Sequence, residues 1–412
     1  GTMGKTKPRS KRMGTTTHME QNTTKIRKTI QRTIMKIVHV YHHYWPVIGG
    51  LENVVKALAE GMAKLGHEAH VITSTYGAQD RPREEEINGV HIHRVKSIRL
   101  GYPDLTYSLE YPIDLLKNAD VVHGHSQNSL FTVKMIEKAK QLGAKTVIHF
   151  MAVDALNDHP NPLVRLLGPL YGRWAVLRAI RNSDIKLVKS LRDKEILKSR
   201  YGIDTIYVPD GVNEELLNMP NKAEEFRARY SINDPFVVYV GRLHRLKGID
   251  VLIKAISIAT KEEPTLTAVI IGPGDQRPYR ELANRLGVGK NVIFTGFVRE
   301  EVKISALDAS TALVLPSISN YAEAYSLAIT EAWARGKPVV ASAVGEIPYR
   351  VKHMINGLLV PPRNPKALAE AILQLIKDKK LGERLGAEGK GNVVTWNKVI
   401  DELLKLYEEA TH

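Results

Sequence analysis

An alternation of secondary-structure signals, run through twice, is the feature that most narrows what this chain can fold into. From Met35, the apolar run "KIVHVYH" leads through a Gly-Gly turn into the amphipathic "LENVVKALAEGMAKLGH" and then into "EAHVITS". A strand, a helix and a second strand in that order form a parallel pair, because the crossover helix returns the chain to the same end of the sheet. "VHIHRV", "DVVHGHS", "AKTVIHF" and "IKLVKS" continue the series to Ser190, and "IYVPDGV" closes it. A second series opens at "FVVYVGRL" and runs through "LTAVIIGPG", "NVIFTGF", "TALVLPS", "PVVASA" and "GLLVPP". The polar "NEELLNMPNKAEEFRARYSINDP" between them reads as a linker with a short helix. The expected fold class is therefore α/β, with two doubly wound parallel-sheet domains at 35–212 and 213–394. The closing stretch 395–412 is expected to be a helix that packs back towards the first domain. Ligands of such sheets bind beyond the carboxyl ends of the strands, so the chemistry is sought in an interdomain cleft.

Composition supports that size of fold and excludes several functions. The 412 residues are 43% hydrophobic, enough for two domains each with its own core. Cysteine is absent, which removes disulfides, thiolate metal sites and a cysteine nucleophile. There is no uninterrupted apolar run of about 18 residues and no secretory signal pattern, so a cytoplasmic location is expected. The net charge of +15 invites a nucleic-acid partner, but more than half of it lies in residues 1–34, which hold nine Lys/Arg and one Glu. That segment is expected to be a disordered basic tail or a cloning extension, and nucleic acid is disfavoured as a partner.

Three segments at strand ends carry chemistry-bearing residues. In "WPVIGGLEN", Gly49 and Gly50 stand between strand and helix, where backbone amides approach a ligand closely. In "GRLHRLKG", Arg242 and Lys247 lie five apart in a glycine-bounded loop, a guanidinium fork and an ammonium suited to a diphosphate. In "EAYSLAITEAW", Glu323 falls on a loop and Glu331 inside a helix, with the helix entrance and its anion-attracting N–H groups between them. "GKPVVASAVGEIPYRV" follows, with Gly345 and Glu346 after another strand. His39, His42 and His43 near His123 and His125 suggest a metal, but no carboxylate or cysteine completes a ligand pattern, and no metal is expected.

In their order and spacing these motifs resemble the nucleotide-sugar-dependent glycosyltransferases of family 4, whose fold, GT-B, implies two facing Rossmann-like domains with an interdomain cleft. The resemblance runs from Met35 to Thr411 through "MKIVHVYHHYWPVIGGLENVV", "DVVHGHS", "VPDGVN", "VVYVGRLHRLKGIDVLIKAI", "IIGPGD", "PSISNYAEAYSLAITEAWARGKPVVAS" and "NGLLVPP". It implies a retaining transfer of a hexose from a nucleoside-diphosphate sugar to an acceptor hydroxyl on a glycan, glycolipid or small sugar, with no cofactor. It assigns Arg242 and Lys247 to the donor diphosphate, Glu323 to the transferred sugar and Glu331 to the ribose hydroxyls. His125 is implied to face the transferred sugar, and Gly49, Gly50, Tyr325, Ser326 and Leu327 to line the donor site. The family usually has Phe-Gly where this chain has Tyr325 and Ser326, and Pro-Asn-Gly-Val where it has "PDGV"; Asp210 and Asn both suit a turn. Ser326 is also a good helix N-cap.

The stretch 161–184 mixes leucines, Tyr171 and Trp174 with Arg165, Arg173, Arg178 and Arg181. It reads as a core helix with snorkelling arginines or as a peripheral contact with the inner membrane face, the latter suiting a lipid-linked acceptor; the core reading is preferred. Two alternatives share the fold: a nucleotide-sugar epimerase, which lacks the Glu and Arg/Lys combination found here, and a non-catalytic nucleotide-sugar-binding subunit. The acceptor is expected to be chosen by side chains from 104–111 and 151–162.

Overall fold

The computed structural model describes residues 33–412, and Lys36–His412 form one compact unit. The expected disorder of the tail falls, apart from its last two residues, outside the described residues. The first sheet contains β1 (Lys36–Val40), β2 (Glu68–Ser74), β3 (Glu84–Ile87), β4 (Val90–Val95), β7 (Val121–His125), β8 (Lys145–Phe150), β9 (Ile185–Val188) and β10 (Ile206–Tyr207). Its order is β10-β9-β8-β7-β1-β2-β4-β3, parallel except for the edge pair β3/β4. Short strands β5 (Ser97–Arg99) and β6 (Thr106–Ser108) form a separate hairpin. The second sheet holds β11 (Phe236–Val240), β12 (Thr267–Ile271), β13 (Val292–Gly296), β14 (Ala312–Leu315), β15 (Val339–Ser342) and β16 (Gly357–Val360), all parallel in the order β13-β12-β11-β14-β15-β16. This is the two-domain parallel α/β architecture expected from the alternation.

Parallel strands covered on both faces need continuous apolar runs, and "FVVYV" and "TAVII" supply them, almost wholly buried. The helix Gly50–Lys64 buries Leu51, Val54, Val55, Leu58, Ala59 and Met62, a stripe at helical spacing. The edge strand β3 escaped the reading because "EEEI" has no apolar alternation. Its turn, Asn88-Gly89 with φ of 53° and 80°, is nevertheless the Asn-Gly hairpin signal.

Strand order places the site. In the second sheet the winding reverses between β11 and β14, and the loops leaving those two strands are Gly241–Gly248 and Pro316–Ser326. A ligand at this switch point meets both. The chain crosses between the sheets twice, side by side: Val212 N–H donates to Val394 O (2.9 Å) and Trp396 N–H donates to Val212 O (3.0 Å). Gly211 permits that approach, since a Cβ there would lie 2.6 Å from Trp396 N. The helix Trp396–Thr411 then returns onto the helix Gly50–Lys64, where Ile400 occupies the space a side chain on Gly61 would need. Among the described residues no helix is long and apolar enough to cross a membrane.

Candidate functional site

The loop after β11 is shaped by glycines. Gly248 has φ of 71°, and a Cβ on it would sit 1.9 Å from Pro316 O; Gly272 has φ of 143° and lies against Gly241 O in the same way. Both glycines are therefore required twice over, by conformation and by space. The result presses the Arg242–Lys247 segment onto the β14 loop. Tyr239 Oη donates to Arg242 O (2.7 Å), fixing the backbone, while the Arg242 side chain is exposed and makes no hydrogen bond or ion pair among the described residues. Lys247 Nζ reaches across to Glu323 Oε1 (2.8 Å) and to Ala322 O (3.2 Å).

Glu323 is 3% exposed, and Ser317 Oγ donates to the same carboxylate oxygen at 2.5 Å. Its main chain is held as well: Glu346 N–H donates to Glu323 O (3.0 Å), and Gly345, φ 57°, leaves no room there for a side chain. Directly after it, Ser326 is the N-cap of the helix Leu327–Ala334, its Oγ accepting from Ile329 N–H at 3.4 Å. The N–H groups of Leu327 and Ala328 meet no acceptor among the described residues, leaving a helix mouth that favours an anion. Ser326 thus does what its residue type suits it for. Tyr325 turns away from this mouth and stacks on Arg350 (4.4 Å), lining a separate cavity of 340 Å³ with Tyr207, Asp210 and Trp333.

Glu331 faces a cavity of 400 Å³ between the two domains, walled by Gly50, Asn53, Lys56 and Glu60 from the first and Leu327, Thr330 and Glu300 from the second. Lys303 Nζ bonds Glu331 Oε1 (3.0 Å), and Glu331 Oε2 has no hydrogen-bond partner among the described residues. Burial raises the Glu331 carboxyl above its ordinary range against the pull of Lys303. Gly50, Leu327 and Glu331 are therefore brought onto one cavity. Gly49 is not open in the same sense: the Glu52 carboxylate folds back to where a Gly49 side chain would be, and His43 Nδ1 meets it at 3.2 Å.

His125 departs from the exposure that a sugar-facing role requires. It is wholly buried at the end of β7, with Nε2 2.9 Å from His39 Nδ1 and its ring stacked on His123 at 4.3 Å. Register explains this: His39 pairs with His123 and His125 with His149, so one sheet face carries four imidazoles under the last helix. Ligand atoms of His39, His123 and His125 lie within 4.8 Å of one another. They offer no carboxylate, however, and both His39 nitrogens are engaged, with His125 and with Met62 Sδ.

Two residues matter more than the sequence suggested. Asp210, read there as a turn residue, is a buried ion-pair partner, with Oδ1 3.1 Å from Lys189 Nζ and both side chains under 10% exposed. Glu346 is wholly buried, its carboxylate unbonded but for Arg350 Nε at 3.4 Å. Burial pushes its carboxyl up to about 7, opposed by Arg350 and reinforced by Glu323 and Asp193. A Glu directly after a strand-end Gly was the available signal for Glu346; nothing local marks Asp210, whose partner is distant in sequence.

Comparison with known proteins identifies the family and the fold. Residues 48–216 match the family described as Glycosyltransferase Family 4, and residues 222–392 match Glycosyl transferases group 1. The chain is 30% identical to a D-inositol 3-phosphate glycosyltransferase of Corynebacterium glutamicum, over 88% of this chain and 92% of that one. It is 29% identical to an uncharacterized glycosyltransferase of Methanocaldococcus jannaschii, over 91% and 98%. Among solved structures, sucrose-phosphate synthase from Thermosynechococcus elongatus superposes with a TM-score of 0.71 at 23% identity, covering 90% of this chain and 98% of that one. Anabaena HepE in complex with UDP superposes at 0.70 and 20% identity, covering 91% and 100%.

Proposed function

Because this chain belongs to glycosyltransferase family 4 and has the GT-B fold, we propose that it moves a hexose from a nucleoside-diphosphate sugar to an acceptor hydroxyl with retention of anomeric configuration. The observation that carries the reading is the Lys247–Glu323 pair beside an open helix mouth at the switch point of the second sheet. The donor diphosphate lies at that mouth, against the Leu327 and Ala328 amides, Lys247 and the free guanidinium of Arg242. Glu331 takes the ribose hydroxyls with its unpaired oxygen, and Glu323 takes a hydroxyl of the hexose. The bond between the anomeric carbon and the diphosphate oxygen breaks, the acceptor oxygen bonds to that carbon on the same face, and the acceptor proton passes to the departing phosphate. Cations already in place stabilise the charge that develops on the leaving group. In this scheme side chains do the work of a metal, and no cofactor takes part. The acceptor, whether glycan, glycolipid or small sugar, enters from the first domain, and the reaction runs in the cytoplasm. HepE has been crystallised with UDP-glucose, so uridine donors are the first to try. Incubation with a panel of nucleotide hexoses, followed by NMR of the product, tests the proposal. An inverted anomeric centre, or turnover with none of the donors, rejects it.

A further inference from the structure

The helix Pro162–Arg181 is built inside out. Leu163, Leu166, Leu167, Leu170 and Leu177 are 47 to 73% exposed. At about 100° per residue they share one sector of roughly 100° on the outer face. The inner face carries Gly172, Ala175, Val176 and Ala179, all buried. The core reading of this helix is therefore corrected: its inner face packs on the domain through Val176, Ala179 and Ile180, and its leucines point outward. A continuous leucine stripe in water is costly, and such a surface marks an interface.

We propose that this stripe docks on an anionic lipid bilayer, bringing the cleft to a lipid-linked acceptor. Charge selects the bilayer over a second copy of the chain. The helix has no Asp or Glu, Arg173 and Arg181 are exposed beside the leucines, and Lys134 flanks Trp174 at 5.8 Å, while Arg178, 5.7 Å from the same ring, is paired with Glu137 at 3.6 Å. A two-fold contact would set those arginines against themselves, whereas phosphate headgroups neutralise them while leucines and an interfacial Trp enter the acyl boundary. The helix also starts at the site. His159, just before it, packs on Tyr321 at 4.7 Å, next to Ala322, whose carbonyl binds Lys247. This placement of the acceptor rests on the transferase reading; the docking itself does not.

The test uses the full chain and vesicles of phosphatidylcholine with or without phosphatidylglycerol, read by co-sedimentation without any sugar donor. Wild type is expected to partition onto the anionic vesicles and to be released by salt. Leu166→Gln with Leu170→Gln, both exposed and so neutral to folding by circular dichroism, should weaken partition by about tenfold or more. Arg173→Gln with Arg181→Gln should remove most of the salt-sensitive part. No partition by wild type, equal partition by the leucine variant, or a lipid-free dimer by light scattering that the leucine variant dissolves would each overturn the inference. Because no donor is present, failure of the transfer chemistry leaves this outcome unaffected.

Discussion

Lys247 and Arg242 share a loop, yet they stand in opposite relations to the fold. Lys247 neutralises Glu323, a carboxylate almost out of water, whereas the exposed Arg242 side chain makes no hydrogen bond or ion pair among the described residues. Either change to Ala should cut turnover by roughly a hundredfold through loss of a preorganised charge on the leaving group. Only Lys247→Ala should also lower stability, by about 1 to 3 kcal/mol, because it strands the Glu323 charge; the partial exposure of Lys247 keeps the figure below that of a fully buried pair. Urea unfolding beside steady-state rates separates the two. Glu331→Gln should weaken binding of the free nucleoside diphosphate by roughly 1.5 to 3 kcal/mol, and Glu323→Gln should spare that binding while slowing transfer. Calorimetry in which both variants lose the nucleotide equally would show that the two carboxylates serve one structural purpose. Asp210→Asn, harmless if the position were merely a turn, should cost about 3 to 5 kcal/mol by leaving Lys189 buried and unpaired. Adding Lys189→Met should recover much of that loss.

At the scale of elements, the last helix joins the first domain to the end of the chain. Its Val399, Ile400, Leu403, Leu404 and Tyr407 are buried, and Tyr407 Oη meets His123 Nδ1. Tyr407→Phe keeps the ring but leaves that imidazole nitrogen without a partner in a dry site. A loss of roughly 1 to 2 kcal/mol is expected in urea unfolding, and an unchanged midpoint would show that the contact contributes nothing. Helix periodicity in "TWNKVIDELLKLYEEAT" was visible in the sequence. The reason the helix must return was not, since it lies in two distant fits: Ile400 against Gly61, and Trp396 beside Gly211.

At the scale of the whole molecule, acid should unfold this protein through its histidines. Burial holds His39, His42 and His149 near 3 and His123 and His125 well below the ordinary 6.5. Below pH 6.5 the unfolded chain therefore takes up protons that the folded one refuses, and stability falls with pH. Four carboxyls act the other way: Glu346, raised to about 7, Asp104 and Asp193, raised to about 6, and Glu331, raised by burial, bind protons in the folded state first. His70 and His93 are held down by burial as well, so the depressed imidazoles outnumber the raised carboxyls and the unfolded state binds more protons between roughly pH 4.5 and 6, a loss on the order of 1 to 3 kcal/mol per pH unit. Chemical denaturation across that range measures it; stability that is flat or rises towards pH 4.5 would contradict the neutral, dry state of the histidine stack.

What the sequence determined by itself was whatever depends on neighbours in the chain. Apolar runs of strand length alternating with helical stripes fix a parallel α/β fold. Gly248 and Ser326 mark a left-handed turn and a helix cap, and the spacing from Glu323 to Glu331 straddles a helix entrance. The tertiary structure alone decided which of those residues face solvent and which face one another. "DVVHGH" places a histidine at a strand end, but strand register buries it among three more. "PDGV" reads as a turn, but Lys189 makes Asp210 a buried charge. The leucines of 161–184 resemble core residues in composition. Their direction is set by the opposite face, where Val176, Ala179 and Ile180 pack on the domain, and no local pattern carries that information.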